Sequence, residues 1–154
     1  MSLKHMVAGV LSLGVVVLGA GVALQAAEDV DAGLKERLAK AEAGPATIDV
    51  SAYPAALQQT YDVFVKKCSQ CHRISRAINS DYALPDEWER YIKRMMHKPG
   101  SGIDKSEGKQ IYEFLVYDSN VRKKDALQKK LGELPEADRA TNEAKLKEVT
   151  DTYK

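Results

Sequence analysis

The feature that most constrains this 154-residue chain is one pentapeptide, Cys68, Ser69, Gln70, Cys71, His72, which contains both of its cysteines. Two thiols three residues apart, followed at once by an imidazole, form the C-x-x-C-H pattern of covalent haem attachment. On one helical turn the cysteines project from the same side, so their thiols can add to two vinyl groups along one porphyrin edge. His72 then reaches the iron as proximal ligand, and a backbone carbonyl expected within residues 80–85 holds its second ring nitrogen. The rival readings are a structural disulfide, a thioredoxin-like redox pair and half of a zinc site. Each fits less well. Only His5 and His97 remain as further histidines, His5 falls in an apolar leader, and nothing alternates strand with helix.

The leader is the second signal. Lys4 is the only charged residue among the first 26, residues 6–24 are an uncharged apolar run, and a small-residue stretch ends at Ala26 and Ala27. This predicts a secretory signal peptide over residues 1–26, cleaved after Ala26, and a periplasmic or otherwise exported protein. Residues 6–24 kept as an uncleaved membrane anchor are the alternative, since the run approaches the ~20 residues that span a bilayer.

Composition narrows the function classes. The net charge is +1 from 23 basic and 22 acidic residues, which gives no electrostatic case for nucleic acid. Two cysteines are too few for a disulfide framework, and two Phe, one Trp and seven Tyr supply little aromatic filling for a core. A large apolar cofactor would complete it.

Around the motif the pattern is helical throughout. Leu57, Tyr61, Phe64 and Val65 mark one stripe of a helix starting near Pro54. Pro85, Asp86 and Glu87 open another, in which Trp88, Tyr91, Ile92 and Met95 fall on a single face, and Pro99 ends it around His97. A third helix starts at Asp104 with Glu107 in a capping box, carries Ile111, Phe114 and Leu115 on one face, and is expected to end over residues 118–120.

With these residues in place, the chain resembles the monohaem c-type cytochromes, class I-like and of the short bacterial type, over about residues 54–118. The resemblance rests on Cys68, Cys71 and His72, on Phe64 four residues ahead of the motif, and on the distal run Trp88, Arg94, Met95, Pro99, Gly100, Ser101. It implies that Phe64 packs on the C-terminal helix of the haem domain. Thr60 departs from the pattern, since the family has glycine there, where two helices cross.

The fold expectation is therefore all-α: a cytochrome c-like haem domain of three to four helices around one covalent haem, with helical extensions at both ends. Residues 1–26 are the signal, 27–50 an N-terminal extension, 51–119 the haem domain and 120–154 a charged helical C-terminal extension. Residues 31–43 form a helix stopped by Gly44 and Pro45. The tail carries Leu127, Leu131 and Leu134 on one stripe and Leu146, Val149 and Tyr153 on another. It is expected to pack back as an αα-hairpin, with a partner-docking arm as the alternative.

For the sixth iron ligand Met95 is the first choice, because a thioether suits a soluble electron carrier and Met95 sits on the apolar face. Met96 is second, followed by His97 and by an open site. Arg73, Arg76, Tyr82, Trp88, Tyr91 and Arg94 are candidate donors to the haem propionates. No catalytic acid or base is needed. The expected function is an electron carrier, not an enzyme, passing single electrons between donor and acceptor oxidoreductases by outer-sphere transfer. Its docking lysines would be Lys66, Lys67, Lys93, Lys98, Lys105 and Lys109. The alternatives are a haem protein with an open sixth site for small ligands or peroxidase-like activity, and a subunit docked permanently in an oxidoreductase.

Overall fold

The computed structural model describes residues 20–154, and their side chains from residue 32 onward. The predicted signal over residues 1–26 and the anchor alternative over residues 6–24 lie outside the described residues up to residue 19, and among the described ones no helix is long and apolar enough to cross a membrane. The chain divides into two compact units, residues 1–36 and 37–154. Helix α1, Ala20–Ala43, starts eleven residues ahead of the expected residue 31 and ends at Gly44 and Pro45, as their helix-breaking chemistry requires.

The second unit is all-helical: α2 (Ala55–Cys68), α3 (Ser75–Ile78), α4 (Pro85–Met96), α5 (Lys105–Arg122), α6 (Lys124–Glu133) and α7 (Glu136–Thr152). No strand occurs among the described residues. Helix α2 starts behind Pro54 and buries Leu57, Thr60, Phe64 and Cys68, a stripe of spacing three and four. The Thr60 hydroxyl bonds back to the Ala56 carbonyl at 3.0 Å, so this β-branched residue leaves no unpaired donor in the core.

Helix α5 is the hub, meeting α2, α4, α6 and α7. Its start is fixed by a capping box in which the Glu107 amide donates to Asp104 at 2.8 Å and the Asp104 amide donates to Glu107 at 3.1 Å. Ile111, Phe114, Leu115 and Val116 are buried around most of its circumference, as a central helix demands. Phe64 and Phe114 stack with ring centroids 5.4 Å apart, which joins α2 to α5 as the resemblance implied for Phe64.

Helix α5 runs past residues 118–120 to Arg122. The reason is that Asp118 and Ser119 are not solvated turn residues. The buried Asp118 carboxylate accepts from the Tyr53 hydroxyl at 3.0 Å and from Arg122 one turn later at 2.7 Å. Ser119 accepts from the Trp88 indole at 2.8 Å. Satisfied in this way, polar side chains stay inside a helix.

The tail folds back, as its leucine stripes predict. Leu127 and Leu131 of α6 pack with Ala83 and Leu84, while Val149 of α7 enters the same core as Phe64 and Trp88.

Candidate functional site

The site grows from the end of α2. Cys68 is the last residue of that helix, whose closing bond runs from the Ser69 amide to the Val65 carbonyl, and residues 69–71 form a turn. The two cysteines therefore do not share a continuing helix. Both are free, Cys68 buried and Cys71 exposed. Burial pushes the Cys68 thiol up to about 12, so it stays protonated at neutral pH.

That placement weighs against the rival readings of the motif. A thioredoxin-like cysteine is acidified at a helix N-terminus, whereas Cys68 stands at a helix C-terminus, where the helix dipole disfavours a thiolate. Among the described residues no group of three or more His, Cys, Asp and Glu side chains is gathered as a metal site, so a zinc reading lacks its further ligands.

His72 follows the turn, half-buried, with Nδ1 3.0 Å from the Arg73 carbonyl oxygen. A carbonyl only accepts, so this contact places the proton on Nδ1 and leaves the Nε2 lone pair free for a metal. The acceptor is the neighbouring residue, not the expected 80–85 segment. That segment is engaged elsewhere: Lys123 donates to the Ser80 and Tyr82 carbonyls at 2.8 and 3.0 Å.

Helix α4 supplies the facing surface. Pro85 occupies its first turn, and Glu87 reaches back to accept from the Ala83 and Leu84 amides, both at 2.9 Å. Trp88, Tyr91 and Ile92 are buried, and Met95, one turn beyond Tyr91 on the same face, is half-buried against the core. Met96 turns toward α5. A Cβ on Gly108 would stand 2.6 Å from the Met96 sulfur, so that thioether lies directly over the α5 backbone. His97 caps α4 and is exposed, with Nδ1 2.6 Å from the Lys93 carbonyl oxygen.

Tyr91 carries the most informative atom. Its hydroxyl is the buried side-chain polar atom that has no hydrogen-bond partner among the described residues, and Cys68, Arg76, Arg94 and Tyr82 are ionisable groups close enough to act on it. Leaving such a group unpaired costs about 1–3 kcal/mol. A polar-edged ligand beside Cys68 would offset that cost, and a porphyrin bearing carboxylates fits the description. Tyr82, Trp88 and Tyr91 meet edge to face around this point, with centroids 5.5 to 5.9 Å apart, and Arg94 lies 5.6 Å over the Tyr91 ring.

The remaining predicted donors divide. Trp88 spends its single N–H on Ser119, and Arg76 is turned to Glu42 through Nε and Nη2. The Tyr82 hydroxyl accepts a long contact from Arg94 at 3.5 Å, and Arg73 is exposed. Of the six surface lysines, Lys67, Lys93 and Lys109 are paired with Glu107, Glu89 and Glu113. Lys66, Lys98 and Lys105 are exposed.

Sequence reasoning missed the N-terminal strap that fastens the segment after the motif. The Asn79 carboxamide donates to the carbonyls of Ala41, Pro45 and Ser75 at 2.9 to 3.0 Å, and Ser75 donates to the Glu42 carbonyl at 3.1 Å. Nothing local in the sequence marks this contact; in the fold a Cβ on Gly44 would stand on the Asn79 carboxamide.

No family model matches the chain, and no curated protein and no solved structure is significantly similar to it.

Proposed function

We propose that this chain is an exported monohaem c-type cytochrome that carries single electrons between redox partner proteins. The observation that carries the reading is the C-x-x-C-H motif, its two thiols unbridged and the buried one, Cys68, near a buried, unpartnered Tyr91 hydroxyl. Cys68 and Cys71 hold the cofactor as thioethers, and the carbonyl contact at Nδ1 leaves His72 with Nε2 to offer the iron. The haem, when bound, supplies a one-electron couple. Tyr91, with Arg94 beside it, donates toward the polar edge, and buried Trp88, Ile92 and Phe64 keep water away.

Met95 is the preferred sixth ligand because it shares the face of Tyr91, whereas the Met96 sulfur is occupied against Gly108 and His97 faces solvent. The chain needs no acid or base for such a role. The test is the ferric and ferrous spectra of the protein, of Met95→Ala and of Met96→Ala. A low-spin spectrum with the weak sulfur-to-iron band, lost in Met95→Ala and kept in Met96→Ala, is expected. A high-spin native spectrum that responds to carbon monoxide would move the reading to a ligand-binding or peroxidase-like haem protein.

A further inference from the structure

We propose that the α6–α7 hairpin is a clamp on the first turns of α4 that holds the Met95-bearing helix in its ligating position, with Asn142 and Lys145 as positioning residues. The proposal rests on the reading of Met95 as sixth ligand. Its starting point is a helix whose own residues cap it only in part: Glu87 accepts from the Leu84 amide at 2.9 Å, and one first-turn donor is left over. Helix α4 has Leu84 at its N-cap, which offers no side-chain acceptor, and Pro85, which has no N–H. The Glu87 and Trp88 amides bond to the Leu84 carbonyl at 3.1 and 3.2 Å. Asp86 is the remaining first-turn donor, and its amide is met by Asn142 Oδ1 of α7 at 3.0 Å, across 56 residues of sequence.

Asn142 is 2% exposed, and its Nδ2 returns the contact by donating to Asp86 Oδ2 at 3.2 Å and to the Asp138 carbonyl at 2.9 Å. A buried carboxamide with both ends satisfied is an oriented link. Around it, Lys145 Nζ bridges Asp86 at 2.5 Å and Glu89 at 2.6 Å, and Lys130 of α6 reaches Glu87 at 2.6 Å. All three carboxylates in the first two turns of α4 are therefore bonded to the hairpin.

The opposite end of α4 has little of this. Residues 97–100 are exposed, Pro99 blocks continuation, and beside the packing of Met96 on Gly108 the end is held by the Ser101 hydroxyl on the Met96 carbonyl at 3.1 Å. A twelve-residue helix is too short to be stable alone, so its placement comes from its tertiary contacts. Met95 stands in its last turn, and loosening the first turns lets the whole helix move against α5 and carries the sulfur with it.

The experiment compares the full-length haem-loaded protein with Asn142→Leu/Lys145→Met, which keeps side-chain volume and removes the bonds. Lys145→Met alone serves if the double variant folds poorly. Two readouts are taken: amide hydrogen exchange in α4 relative to α2, and the rate at which carbon monoxide binds the ferrous protein. Loss of a cap predicts about five- to tenfold faster exchange in α4 alone, with carbon monoxide binding faster by the same factor. Tyr153→Phe, which removes the hairpin's 2.8 Å bond to Glu113 of α5 and leaves α4 untouched, is expected to change neither.

Unchanged α4 exchange overturns the clamp whatever the cofactor. Faster exchange with unchanged carbon monoxide binding in a haem-loaded variant overturns the positioning role and leaves the cytochrome reading intact. An equal effect from Tyr153→Phe would show general destabilisation and also overturns it. A native chain that takes up no covalent haem removes the cytochrome reading, and the positioning role with it.

Discussion

Single side chains here are set by what they touch across the fold more than by their neighbours in sequence. Gly44 is a case in which a missing side chain is the structural element. A Cβ there would stand 2.5 Å from Asn79 Nδ2, the nitrogen that ties the strap carbonyls of Ala41 and Pro45 to α3. Gly44→Ala is expected to displace that carboxamide and lower stability by about 0.5–1.5 kcal/mol, the net worth of a hydrogen bond at a half-buried site. Thermal or urea unfolding measures it, and an unchanged midpoint would show that the strap is slack. The same scale shows where sequence reasoning failed. Trp88 was legible as a buried indole in need of a partner, but Ser119, 31 residues away, carries no local mark of being that partner.

At the scale of elements, the starts of α4 and α5 were readable, and so was the meeting of α2 with α5 through Phe64, while the start of α1 at Ala20 and the α4–α7 seam were not. Pro85 and the Asp104–Glu107 box announce α4 and α5 because capping is chemistry within four residues. The ends were less clear: α5 continues through Asp118 because Tyr53, 65 residues upstream, donates to it. The α4–α7 seam yields a pH prediction. Hydrogen bonds from Lys145 and then Lys93 hold the Glu89 carboxyl at about 2, well below its ordinary 4.5. Burial opposes ionisation of Glu87, yet donation from the Ala83 amide and from Lys130 outweighs it and also holds that carboxyl low. A carboxyl depressed in the fold contributes stability above its unfolded value and loses it as pH falls through the folded one. Stability is therefore expected to decline between about pH 4.5 and 2, and Lys145→Met to flatten this acid limb. Melting curves across that window test it; an unaltered slope in the variant would place the acid sensitivity elsewhere.

For the whole molecule, the all-α class was legible from helical periodicity and from the absence of any alternating pattern, and the second unit is all-helical. That the charged tail packs back was legible from its leucine stripes. That it clamps α4 was not, because Asn142 and Lys145 are unremarkable in a polar helix until Asp86 and Glu89 lie opposite. The C-x-x-C-H pattern at Cys68, Cys71 and His72 was readable because its spacing is local, and the face shared by Tyr91 and Met95 because it follows from helical periodicity, whereas the unpartnered Tyr91 hydroxyl shows only in three dimensions. The measurement that bears most directly on the account is the intact mass of the full chain, produced alongside haem-attachment machinery, together with its absorption after acid–acetone extraction. One haem retained through both Cys68 and Cys71, and absent from the Cys68→Ser/Cys71→Ser variant, is the predicted result. A chain at its apoprotein mass, with both thiols free to alkylation, would contradict it.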